Sequence, residues 1–156
     1  MHKKISLIVL IVVACATAIV LIIPKYSTLV NFDVIEKSFQ KNYSDLRILD
    51  EYDISMYFGI DKNDLQEQLF MTDFISTDEN PGIFEPKTLI IIIRDKEIDY
   101  YYDILNGYLD SNKNDLDKDI SLYEKAILKK ENNYVYLFLG DNNNKMEEEL
   151  KEIIEK

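Results

Sequence analysis

Tryptophan is absent, and cysteine and histidine occur once each, as Cys15 and His2. Both lie near the N-terminus, so everything after residue 23 lacks thiol and imidazole groups. That stretch can form no disulfide and build no thiolate or imidazole zinc site. It can use neither a Cys nucleophile nor a His base. Chemistry there would have to rest on carboxylates, Lys, Arg, Tyr, Ser or Thr, which excludes most hydrolytic mechanisms. Basic residues are also scarce, 18 against 29 acidic ones, for a net charge of −11. Every acidic residue lies beyond position 23, so setting aside Lys3 and Lys4 leaves about −13 on the remainder. Such a surface repels nucleic-acid phosphates and anionic headgroups, which argues against a nucleic-acid partner, and it attracts cations and basic partners.

The most conspicuous feature present is the run Ile5–Ile23, which holds no charge and nothing more polar than Ser6 and Thr17. About 19 apolar residues can cross a bilayer as one helix. Lys3 and Lys4 before the run predict a cytoplasmic N-terminus and put the chain beyond residue 23 on the outer face. The expected organisation is an anchor over 1–24, a juxtamembrane connector and helix over 25–49, and an extracytoplasmic domain over 50–156. Two alternatives compete with a retained anchor. Val12-Val13-Ala14-Cys15 loosely fits a lipobox, with Cys15 as the lipidated residue, and Ala16-Thr17-Ala18 offers a small-x-small cleavage site. The apolar residues Ile19–Ile23 continue past both without a polar break, which favours the retained anchor.

After the anchor the signals alternate between helix and strand. Asn31 or Asp33 can cap a helix to about Gln40, with Val34, Ile35 and Phe39 as its apolar stripe. Asp50–Phe58 reads as a short helix ended by Gly59. Gln68–Ser76 reads as a strand, Thr77–Gly82 as a turn, and Leu89–Ile93 as a central strand covered on both faces. A helix from about Asp95 to Asp110 carries Ile98, Tyr102, Leu105 and Leu109 on one face. Strands at Glu124–Lys130 and Tyr134–Gly140 flank a hairpin signal at Glu131–Asn133. A last helix, capped by Asp141 or the asparagines after it, turns Met146, Leu150, Ile153 and Ile154 inward. The fold class expected is α+β, with a mostly antiparallel sheet of about four strands and flanking helices. The helix at Ile98 and the last helix are expected on one face of the sheet, and the segment Asn31–Phe58 on the other.

Tyr57-Phe58-Gly59-Ile60-Asp61, the β-rich run ending at Arg94-Asp95, and Asn133-Tyr134-Val135-Tyr136-Leu137-Phe138 before a closing helix resemble a known family. That family is an uncharacterised domain of unknown function found in small membrane-anchored proteins and lipoproteins of Gram-positive bacteria. The resemblance spans most of the chain from about Asp50 onward. It implies the same fold and an envelope location, and it brings no assigned activity.

Three motifs invite a chemical reading. Ser38-Phe39-Gln40-Lys41 matches the Ser-x-x-Lys of penicillin-binding enzymes, but Ser44-Asp45-Leu46 and Lys87-Thr88-Leu89 do not complete the companion motifs. Asp110, Asn112, Asn114 and Asp115 are oxygen donors at calcium-loop spacing, without the required glycine at the sixth position or glutamate at the twelfth. Tyr100, Ile104 and Tyr108 recur every four residues and form a second stripe on the Ile98 helix, a candidate partner surface. No motif calls for a cofactor. The expected function is a non-catalytic binding module for a protein or cell-envelope component. A carboxylate-based envelope hydrolase and a weak calcium-responsive module are the alternatives.

Overall fold

The computed structural model describes residues 30–73, 86–115 and 118–155. The apolar run 5–23, Cys15, the end of the strand read to Ser76 and the turn at Thr77–Gly82 lie outside them. Among the described residues no helix is long and apolar enough to cross a membrane.

The organising element is β3, Leu89–Arg94. Leu89 through Ile93 are all 0% exposed, as expected where consecutive branched side chains must be buried on both faces of a pleated strand. β3 pairs with β2 (Glu67–Thr72) on one side and with β5 (Tyr134–Leu139) on the other, both antiparallel. Two edge strands complete the sheet. β1 is only Arg47–Ile48, paired to β2, and β4 (Ile127–Glu131) pairs with β5. The order is β1-β2-β3-β5-β4, five antiparallel strands rather than about four. The additional strand is β1, too short to show any alternation in sequence. The hairpin between β4 and β5 turns through Asn132, at φ 56, a left-handed conformation that asparagine tolerates.

Among the described residues five α-helices cover the sheet. α1 is Phe32–Asn42, started by the Asn31 side chain, which accepts from the Asp33 amide. α2 is Glu51–Phe58, started by Asp50 and ended by Gly59 at φ 66. That left-handed cap favours glycine. α3 is Ile98–Lys113, α4 is Ile120–Glu124 and α5 is Asn143–Ile154. α4 occupies the start of the segment read as a strand from Glu124. Around α5, neither Asp141 nor the asparagines supply a side-chain cap bond.

The helices are divided between the faces differently from expectation. Ile90, Ile92, Tyr136 and Phe138 pack with Phe32, Ile35 and Phe39 of α1 and with Met146, Leu150 and Ile154 of α5. Leu89, Ile91, Ile93, Val135 and Leu137 pack on the opposite side with Ile54 and Phe58 of α2, Leu105 and Leu109 of α3, and Tyr123 of α4. The last helix therefore shares its layer with α1, and the segment Asn31–Phe58 is split across the sheet by β1. α1 is an integral part of the core: Phe39 is buried and stacks on Phe138 at 6.0 Å. Its apolar stripe is Phe32, Ile35 and Phe39, the i, i+3, i+7 set. Val34, assigned to the stripe from sequence, points outward at 51% exposure.

On α3 the buried residues are Tyr101, Leu105, Leu109 and Asn112. Tyr101, outside the expected face, is the buried ring, and Tyr102, expected within it, is half-buried beneath the Lys130 ammonium at 4.7 Å. Tyr101 and Tyr102 lie four and three residues before Leu105, so either can share its face, and a small difference in the inward direction exchanges the two tyrosines while keeping Leu105 and Leu109 inside. Phe39→Ala is expected to cost about 3–5 kcal/mol, the range for a truncated core aromatic, measured by urea denaturation. A cost below about 0.5 kcal/mol would make α1 a dispensable connector.

Candidate functional site

The tyrosine stripe is not a free face. Tyr100 is exposed, Ile104 is half-buried, and Tyr108 packs against the Phe58 ring at 5.1 Å and the Tyr123 ring at 6.3 Å. Burial, followed by the neighbouring Tyr123, pushes the Tyr108 phenol well above its ordinary range. The stripe keeps a regular spacing of four, but α2 and α4 lie across its C-terminal half. Of the three residues Tyr100 is exposed, and Ile104 and Tyr108 are half-buried.

The acidic donors after it are not gathered around a common point. α3 continues to Lys113, so Asp110 and Asn112 lie on a helix, where positions two apart point about 200° apart. Asn112 is buried; its amide nitrogen donates to the Tyr108 carbonyl at 2.6 Å and its oxygen accepts from Lys118. Asn114 donates to the Asp110 carbonyl at 2.7 Å, and the Asp110 carboxylate accepts from Asn106 at 3.0 Å. Asp115 comes after the helix and hydrogen-bonds through its amide to the Asn112 carbonyl at 3.3 Å. These bonds extend and close the helix end, and among the described residues no cluster of acidic, His or Cys side chains could hold a metal ion.

Buried carboxylates serve structural pairs. Asp53 is paired with Arg47 across the β1–α2 turn. Asp95 accepts from the Gln66 and Glu97 amides at 3.0 and 2.9 Å, which ties the start of α3 to β2. Glu147 receives Lys129 at 2.7 Å, Lys151 at 2.6 Å and the Tyr136 hydroxyl at 3.2 Å. Burial pushes Glu147 upward, but the hydrogen bonds and charges of Lys129 and Lys151 outweigh it and hold the group below its ordinary value. A general acid needs the opposite shift.

A concave feature at the β1–β2 edge is one that reasoning from sequence missed. β1 covers only the C-terminal end of β2: Arg47 faces Thr72 and Ile48 faces Met71, and the Leu49 amide donates to the Phe70 carbonyl at 2.9 Å. Asp50 then caps α2 and the chain leaves the sheet. Because the Phe70 carbonyl points toward β1, alternation points the Gln68 amide and carbonyl the same way. Among the described residues neither has a partner. Beside this open stretch lies a groove of about 310 Å³. One wall is the start of α1, with Phe32, Asp33 and Glu36, and the other is formed by Ile54 and Lys62. Ile48 closes one end with its side chain 47% exposed. The Gln68 side-chain oxygen is buried there without a partner among the described residues. The sequence reading placed a helix from Asp50 and did not mark the two-residue strand before it, whose early end opens the groove.

Arg94 anchors the groove wall. Its guanidinium pairs with Glu67, donates to the Val30 carbonyl and lies 5.9 and 5.8 Å from the Phe32 and Tyr134 ring centres. The entry of the chain into α1 is thereby fixed against the β2–β3–β5 end of the sheet.

Comparison of the chain with protein-family models, with curated proteins and with solved structures yields no match.

Two measurements check these assignments. Tyr100→Ser should change stability by less than about 0.5 kcal/mol, whereas Tyr108→Ser should cost about 3–5 kcal/mol; equal small effects would restore the stripe as a surface. Glu147 has its folded pKa depressed below 4.5, so its stabilisation is complete above that pH and is lost as pH falls through the lower folded value. The melting-temperature gap between the native chain and Glu147→Gln should be widest near neutral pH and close below pH 4.5. A gap that persists in acid would assign the loss to packing instead.

Proposed function

We propose that the protein is a single-pass, extracytoplasmic binding module, anchored through residues 5–23 with its N-terminus in the cytoplasm, that engages a protein or envelope component without catalysing a reaction. The observation that carries this reading is the open edge of β2 beside an apolar and acidic groove. Buried polar backbone is normally paired, so a strand edge left uncovered next to a groove suits recognition. The buried carboxylates Asp53, Asp95 and Glu147 are engaged in pairs and caps, and Glu147 is held below its ordinary value, the opposite of what the envelope-hydrolase alternative asks of a general acid. The anchored placement is supported by the length and purity of the apolar run and by Lys3 and Lys4 before it. The resemblance carried by Tyr57–Asp61 and Asn133–Phe138 points to the same location.

Protease added to intact protoplasts should destroy the domain while an N-terminal tag stays protected, and the mature chain should retain residues 1–23. Survival of the domain would overturn the outer placement, and a lipid-bearing N-terminus at Cys15 would replace the retained anchor by a lipoprotein. Incubating the protein with purified cell-wall polymer should release no soluble fragments. Release that depends on its carboxylates would establish the hydrolase instead.

A further inference from the structure

We propose that the groove at the β1–β2 edge takes an extended segment of a partner protein, which adds to the sheet as a strand alongside β2 and sets basic side chains against Asp33 and Glu36. This rests on the binding-module reading and names its partner class. The two edges of the sheet are built differently. On β4 the outer positions Lys129 and Lys130 are charged and held by Glu147 and Asp99, a device that blocks strand addition. On the opposite edge Ile48 is exposed, β1 ends after two residues, and the Gln68 amide and carbonyl face outward without a partner among the described residues. An added strand would satisfy those groups, as in β-augmentation.

Side-chain alternation then specifies the partner. Successive residues of the added strand point to opposite faces of the sheet, one set toward α1 and the other toward Ile54 and Lys62. Asp33 and Glu36 lie three apart on α1, about 5–6 Å between Cβ atoms, and alternate strand residues lie about 6.8 Å apart. Two Lys or Arg at alternate positions can therefore reach both carboxylates, while the intervening residues are apolar. A second copy of this chain is disfavoured as occupant, because at a net charge of −11 it would bring acidic surface against an acidic wall.

The test uses the full chain in detergent micelles and two blocked hexapeptides, one alternating Lys and Val and one alternating Glu and Val, followed by fluorescence anisotropy. The Lys-Val peptide should bind and slow hydrogen exchange at the Gln68 amide, and the Glu-Val peptide should not. Gln68→Pro removes the outward N–H without removing a bond to β3, and should weaken binding about tenfold or more with the melting temperature little changed. Asp33→Lys with Glu36→Lys should reverse the preference between the peptides. Should Gln68→Pro fail to fold, a Lys-Val peptide N-methylated at alternate residues supplies the same test on the native chain, because it cannot pair with the edge. No binding at millimolar peptide, or binding undiminished by both Gln68→Pro and N-methylation, would overturn the proposal. Self-association of the native chain that Gln68→Pro abolishes would assign the groove to a second copy and overturn the partner class. Protoplast digestion does not depend on any of these results, so failure here and failure of the outer placement are separable.

Discussion

Burial of β3 on both faces is the constraint on which the rest of the architecture depends. Five consecutive large aliphatic side chains cannot face water on either side of a pleated strand, so each face of the sheet needs its own helical layer. The chain meets this demand by using its two ends together. α1 and α5 form one layer, stacked through Phe39 on Phe138 and bridged where Ser38 and Asn42 both donate to Glu149 at 2.8 Å. The middle of the chain supplies α2, α3 and α4 for the other. Each layer is completed only when elements far apart in sequence meet. Removing α1 would therefore uncover Ile90 and Ile92 as well as α5.

The groove is a consequence of the same arrangement. Between α1 on one face and α2 on the other the chain must cross the sheet edge, and it does so through the short β1. Two residues suffice to carry the chain across, and Asp50 at once caps α2, with Asp53 held by Arg47 at the crossing. Among the described residues the N-terminal part of β2 is left without an outer neighbour. Arg94 then fixes the entry of α1 beside that gap through Val30, Phe32 and Glu67. The gap and its acidic wall are thus set by two polar anchors, Asp53–Arg47 and Arg94–Glu67, placed at either side of the open strand.

Ionic pairing also accounts for how the buried carboxylates among the described residues are accommodated. Where carboxylates are buried they meet lysine, arginine or backbone amides, as Glu147 meets Lys129 and Lys151. Of the candidate calcium donors on α3, Asp110 and Asn112 lie two positions apart and point in different directions. A high density of oxygen ligands in sequence is a statement about composition, and coordination needs convergence in space.

Several parts of the fold were legible from the chain alone because their signals are local. The continuous apolar run at Leu89–Ile93 determined a doubly covered strand, Asn31 and Asp50 determined helix starts, and Gly59 determined a stop. The residues Glu131–Asn133 determined the hairpin. Periodicity was less decisive on α3, where Tyr100, Tyr101 and Tyr102 are chemically alike: a spacing of four is satisfied by Tyr101–Leu105–Leu109 and by Tyr100–Ile104–Tyr108. Only tertiary packing decided between them: Tyr101 is buried with Leu105 and Leu109, while Tyr108 of the other set meets Phe58 and Tyr123. The pairing of α1 with α5, the division of Asn31–Phe58 between the two faces and the open edge at Gln68 had no local signature. They depend on which layers meet across the sheet and on where a two-residue strand stops, and those are properties of long-range contact.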